Sequence, residues 1–139
     1  MSKTKLRAAV IGGGLGGSHG YAYARAEEYE LVAVCDINPE VFDRFYERAE
    51  IARGGIGEYA DYREMFAKEN VDVVSVATPD HLHVAPVCDA SDAGIRGILC
   101  EKPLATTLAD ADRIVETIER NGTKLSVDHT RSWIPSHQA

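Results

Sequence analysis

Continuous apolar runs alternate with helically spaced segments along this 139-residue chain, and that alternation restricts its fold more than any other feature. Runs that suit strands buried on both faces cover residues 8–11, 31–35, 71–77, 98–100 and 125–127. The clearest helix between them carries Ala111, Ile114, Val115 and Ile118 on one stripe, with charges on the other face. Thr107 and Asp110 precede the stripe in capping-box spacing, although the box prefers Glu or Gln where Asp110 stands. Asn121-Gly122 closes the helix with a pair that accepts left-handed geometry.

A second helix follows Asn38-Pro39, with Pro39 or Glu40 in its first turn and Phe42, Phe45 and Ala49 facing inward. A third begins between Asp80 and His83, which places Pro86 in its first turn, where a missing N–H costs little. Residues 53–57 read as a loop ahead of a short helix over 62–68. Tyr21, Tyr23 and Phe66 are, like Phe42 and Phe45, most simply core or surface aromatics. Strands and helices alternating over short links predict an α/β fold of three layers, a doubly wound, mostly parallel sheet. Right-handed crossovers put helices on both of its faces.

The turn after the first apolar run reads Gly12-Gly13-Gly14-Leu15-Gly16-Gly17, which contains G-x-G-x-x-G as Gly12, Gly14 and Gly17. Glycine clusters occur in many loops, but this one leaves a predicted strand and opens a helix, the context that marks a dinucleotide loop. Gly12 permits the tight turn, Gly14 and Leu15 offer backbone to a diphosphate, and Gly17 lets the helix pack closely on the sheet. Free N–H groups at the helix start then attract the anion. Asp36 ends the next strand, 19 residues after Gly17, where a carboxylate accepts from adenosine ribose hydroxyls. Its charge opposes a 2′-phosphate, and the following Ile37 and Asn38 supply no guanidinium, so NAD is expected rather than NADP. A methyltransferase that binds S-adenosylmethionine also uses a glycine loop and a downstream acid, so these features alone leave it open.

Residues 97–104 read Gly-Ile-Leu-Cys-Glu-Lys-Pro-Leu, a buried strand that runs directly into a charged pair and a proline. Ligands bind beyond the carboxyl ends of strands in open α/β sheets, so Glu101 and Lys102 are placed for chemistry. With the glycine loop, Asp36, the Val76-Ala-Thr-Pro-Asp-His-Leu-His83 segment and Glu101-Lys102-Pro103 in this order, the chain resembles the Gfo/Idh/MocA oxidoreductases (glucose–fructose oxidoreductase and inositol dehydrogenase). The likeness runs from about residue 7 to residue 134.

That resemblance implies hydride transfer between a nicotinamide and a sugar, cyclitol or related alcohol. It makes Lys102 the catalytic residue at the substrate hydroxyl and, beside the nicotinamide, a cofactor-binding residue as well, with Glu101 holding or tuning it and touching the cofactor. Thr78 and Pro79 line the nicotinamide-ribose side, Ile37 flanks the adenosine, and His81 is a cofactor-side residue. His83 packs at a helix start, and the Lys102–Pro103 peptide bond is a candidate for the cis form. His129 or Arg131, just after the last strand, reaches the nicotinamide or the substrate. The resemblance also implies a carboxy-terminal substrate domain, so residues 1–130 form the dinucleotide-binding domain and 131–139 begin the next one. It implies a homo-oligomer for the longer protein, and cofactor binding without turnover for this chain by itself. A nucleotide-binding module with no chemistry of its own is the competing reading.

Charge and composition exclude other classes. The formal net charge is −7 with both signs interspersed, which leaves no basic stripe for nucleic acid. No run approaches the roughly 18–20 apolar residues of a membrane span, and the stretch after the basic start is too short for a secretory core, so a cytoplasmic location is expected. His81 and His83 have H-x-H spacing, but no nearby cysteine or carboxylate cluster completes a zinc site, and no metal is expected. Cys35, Cys88 and Cys100 are odd in number and read as buried, reduced thiols.

Overall fold

The computed structural model describes residues 4–137. Six strands, β1 (Leu6–Ile11), β2 (Tyr29–Cys35), β3 (Gly57–Tyr59), β4 (Val73–Val76), β5 (Gly97–Glu101) and β6 (Lys124–Asp128), form one sheet. All pairings are parallel and the order is β3-β2-β1-β4-β5-β6. The intervening helices are α1 (Gly13–Arg25), α2 (Val41–Ala49), α3 (Tyr62–Glu69), α4 (Val84–Asp92) and α5 (Leu108–Asn121). Short 3-10 turns cover Asp80–Leu82, Thr130–Trp133 and Pro135–His137.

Strand periodicity divides the core between the two faces. Ala9, Ile11, Cys35, Val74, Val76, Ile98 and Cys100 pack with Met65, Val87 and Ile114 from α3, α4 and α5. Val10 and Val34, one residue out of phase, pack with Phe42, Phe45, Tyr46 and Ala49 of α2. Phe45 and Met65 are wholly buried, which stabilises the fold by about 1.5–3 kcal/mol for each side chain. All three cysteines are free and buried, as expected.

The predicted strands and helices are present, with local differences. The run 71–77 supplies a strand only over Val73–Val76, with the Asp72 and Ala77 amides still bonded to β1 at either end. β3 begins at Gly57, the last residue of the expected loop, and carries no sequence signal: its three residues lack an apolar run and are held mainly by pairing with β2. On α5 the inward face carries Ile114 and Thr117, while Val115 is 44% exposed. Asp110 also departs from the capping-box pattern, since its carboxylate accepts from the Thr107 hydroxyl while its own amide donates to Thr107 Oγ1.

The strand order reverses direction between β1 and β4. The chain leaves β1 toward β2 and leaves β4 toward β5, so a crevice opens beyond Ile11 and Val76. Among the described residues, no helix is long and apolar enough to cross a membrane.

Candidate functional site

The crevice has a volume of about 580 Å³, within the usual range for small-molecule sites. Its floor is the turn from β1 into α1. Gly12 has φ +93°, and a Cβ there would lie 2.5 Å from the Ala77 carbonyl oxygen, so only glycine fits. Gly14 faces open space, with nothing within 4 Å of a Cβ position. The first-turn amides of Gly14 and Leu15 have no hydrogen bond among the described residues, and the positive end of the α1 dipole is directed there.

Asp36 closes one side. Its Oδ2 accepts from the Gly13 amide at 2.8 Å and its Oδ1 from the Asn38 amide at 2.9 Å. Each oxygen keeps a lone pair for a further donor. Ile37, 86% exposed, stands beside it. Thr78 and Pro79 form the opposite wall, and Thr78 Oγ1 is buried with no hydrogen-bond partner among the described residues. A buried hydroxyl without a partner costs about 1–3 kcal/mol, so this atom fits a ligand that supplies one.

Gly12, Gly14, Leu15, Asp36, Ile37, Thr78 and Pro79 therefore line one crevice, as the sequence led us to expect. Gly17 does not. A Cβ at Gly17 would meet Arg48 Cβ at 2.6 Å, so this glycine lets α1 approach α2. The close approach of α1 to the sheet falls to Gly16, where a Cβ would lie 2.4 Å from Val10 Cγ1. His81 is also outside the lining. It sits exposed on the 3-10 turn beside Asp80, and Leu82 takes the inward place. His129 and Arg131 are exposed and do not contribute to the lining.

Val41, Ala60, Tyr62, Leu82, Ala85 and Pro86 complete an apolar wall that the sequence did not reveal. They come from separate segments of the chain, and no local pattern links them.

Glu101 and Lys102 lie at the carboxyl end of β5, beside β4, whose own end leads into Thr78. The Lys102–Pro103 bond is cis. Lys102 is exposed, and none of the ion pairs among the described residues involves its ammonium. Glu101 Oε2 accepts from the Lys102 backbone amide at 3.3 Å. Its Oε1 meets Nε2 of buried His19 at 3.0 Å. His83 is buried, as expected of a helix-start residue, with its ring nitrogens 2.9 Å from the carbonyls of Thr78 and Pro103. It thereby ties the crevice wall to the turn that carries Lys102.

A nitrogen of His19 and oxygens of Glu101 and Asp128 lie within 4.8 Å of one another, a grouping outside the H-x-H pair weighed from sequence. The hydrogen bond between His19 and Glu101 accounts for this closeness.

Sheet order, glycine turn and the carboxylate just past β2 together define a dinucleotide-binding Rossmann domain. A family model described as an oxidoreductase family with an NAD-binding Rossmann fold matches residues 6–129. The chain belongs to this Gfo/Idh/MocA oxidoreductase family and is an NAD-binding domain of that group.

D-Apiose dehydrogenase of Paraburkholderia graminis is 36% identical over 137 residues, which are 97% of this chain and 35% of the relative. Inositol 2-dehydrogenase of Salmonella typhimurium is 30% identical over 126 residues, which are 86% of this chain and 35% of the relative. The WlbA dehydrogenase from Bordetella pertussis, solved with NADH and UDP-GlcNAcA, superposes with a TM-score of 0.82 at 28% identity. That match covers 97% of this chain and 40% of the other. The chain thus spans little more than a third of the length of these relatives.

Proposed function

We propose that this domain holds NAD for hydride transfer to and from a sugar, cyclitol or related secondary alcohol. The observation that carries the reading is the Asp36 carboxylate, fixed by the Gly13 and Asn38 amides at the rim of the crevice. In that position it accepts from the two adenosine ribose hydroxyls and repels a 2′-phosphate, which favours NAD over NADP. Gly14 and Leu15 present their amides to the diphosphate, and the apolar wall at Ile37, Tyr62 and Leu82 takes the adenine. Thr78 and Pro79 lie on the nicotinamide-ribose side, where the unpartnered Thr78 hydroxyl finds its partner.

When bound, NAD supplies the hydride acceptor. Lys102 stands at the substrate hydroxyl, where its amine takes the proton as the alcohol is oxidised and returns it in the reverse direction. Glu101 fixes the turn that carries it. Substrate walls come from a further domain that begins at about residues 131–139, and the longer protein is a cytoplasmic homo-oligomer with no nucleic-acid or membrane partner. By themselves, residues 1–139 form a nucleotide-binding module without turnover, a second reading that the exposure of Lys102 favours.

The test is NADH formation by the longer chain across a panel of sugars and cyclitols. Lys102→Ala should abolish turnover while NADH still quenches or enhances fluorescence with near-normal affinity. Full turnover without the lysine contradicts the assignment.

A further inference from the structure

His19 lies on α1, two residues past the glycine motif, and is 8% exposed. Its ring joins three elements of the fold. Nδ1 is 3.0 Å from Ser75 Oγ on β4, and Nε2 is 3.0 Å from Glu101 Oε1 on β5. Ser75 Oγ in turn lies 2.9 Å from the Tyr23 hydroxyl. A carboxylate only accepts, so the proton that bonds Glu101 sits on Nε2. In the neutral ring Nδ1 then accepts from the Ser75 hydroxyl, and Ser75 accepts from Tyr23, so every donor in the chain has an acceptor. Burial raises the Tyr23 phenol above its usual pKa, against the Ser75 hydrogen bond, which keeps it a donor. Asp128, whose Oδ2 lies 3.8 Å from Nε2, faces the same ring from β6.

Both oxygens of Glu101 are thus occupied, one by His19 and one by the Lys102 backbone amide. We infer that His19 is a positioning residue, anchored by Ser75 and Tyr23, which holds the Glu101 carboxylate away from the Lys102 ammonium so that the lysine stays free for substrate. The inference rests on the reading of Lys102 as the residue at the substrate hydroxyl. With His19 removed, only the Lys102 amide restrains Glu101, and the ammonium next to it in sequence becomes its partner.

The test uses the chain itself and needs no turnover. Amines are acylated with limiting acetic anhydride, and the rate at Lys102 is read by mass spectrometry against Lys5 and Lys124. His19→Ala should slow Lys102 about two- to fivefold, the strength of an exposed ion pair, while the reference lysines keep their rates. His19→Gln, which can still donate to Glu101, should restore the normal rate. The double variant His19→Ala/Glu101→Gln should also react normally, because no charge remains to pair. An unchanged Lys102 rate in His19→Ala, or equal slowing in the double variant, overturns the inference. If His19→Ala fails to fold, the wild type decides: an imidazole Nε2–H resonance slow to exchange is expected, and its absence overturns the lock. NADH binding by the wild type is measured in parallel. Failure there refutes the dinucleotide reading, while the acylation cycle still judges the lock independently.

Discussion

The Gly13 amide donates to Asp36 Oδ2 across 2.8 Å, and this hydrogen bond joins the glycine turn to the end of the neighbouring strand. It fixes the carboxylate at the rim of the crevice, where the proposed function places the adenosine ribose. Asp36→Ala therefore removes two ligand hydrogen bonds and frees the Gly13 amide together. Each hydrogen bond to a charged acceptor contributes about 1.5–3 kcal/mol, so losing even one should lower NAD affinity about ten- to a hundredfold, and losing both should lower it further. NADP affinity should change less, because the repulsion of its 2′-phosphate disappears as well. Parallel titrations of the variant with both nucleotides measure the change in preference.

The glycines of the turn should separate stability from binding. Gly12→Ala forces a side chain into positive φ and against the Ala77 carbonyl, which costs about 1–3 kcal/mol for the backbone conformation alone. Its melting temperature should fall clearly. Gly14→Ala meets no protein atom within 4 Å, so it should melt normally and yet bind NADH weakly, because the new methyl faces the diphosphate path. Thermal melts with and without NADH distinguish the two.

Thr78→Val should have opposite effects on stability and binding. The buried Oγ1 has no partner among the described residues, and an isosteric methyl removes that desolvation cost. The unliganded variant should be as stable as the wild type or more stable, by urea unfolding, and its NADH affinity should be reduced. A loss of stability with unchanged affinity would mean that the hydroxyl serves the fold.

Burial, helped by the Asp36 charge, pushes the Cys35 thiol from its usual 9.0 to about 12, and burial beside Glu101 does the same for Cys100. A pKa raised on folding gives stability that is intact below pH 9 and is lost as pH climbs toward 12. Unfolding free energy measured by urea should therefore decline across that window, and less steeply in Cys35→Ala. Both thiols should resist alkylation in the native protein at pH 8 and react on unfolding.

The features legible in the sequence were those that adjacent residues express together. The strand, glycine turn and helix around Gly12 form one such unit, and Asp36 follows at a fixed spacing. The Glu101-Lys102-Pro103 turn was readable because a buried run ends directly on charges. Packing between distant segments was not. Whether Gly16 or Gly17 faces the sheet depends on how α1 rolls against α2, and the motif leaves that open. The 3-10 turn after Pro79 leaves His81 exposed and brings Leu82 to the crevice, which the H-x-H spacing does not reveal. His19 carried no signal, because Ser75 and Glu101 lie 56 and 82 residues away along the chain and meet it only once the sheet has formed.

The central claim is tested most directly by calorimetry of residues 1–139 with NAD, NADP and S-adenosylmethionine. One NAD should bind per chain, more tightly than NADP, and S-adenosylmethionine should give no binding heat. Absence of NAD binding, or tighter binding of S-adenosylmethionine, would contradict the account.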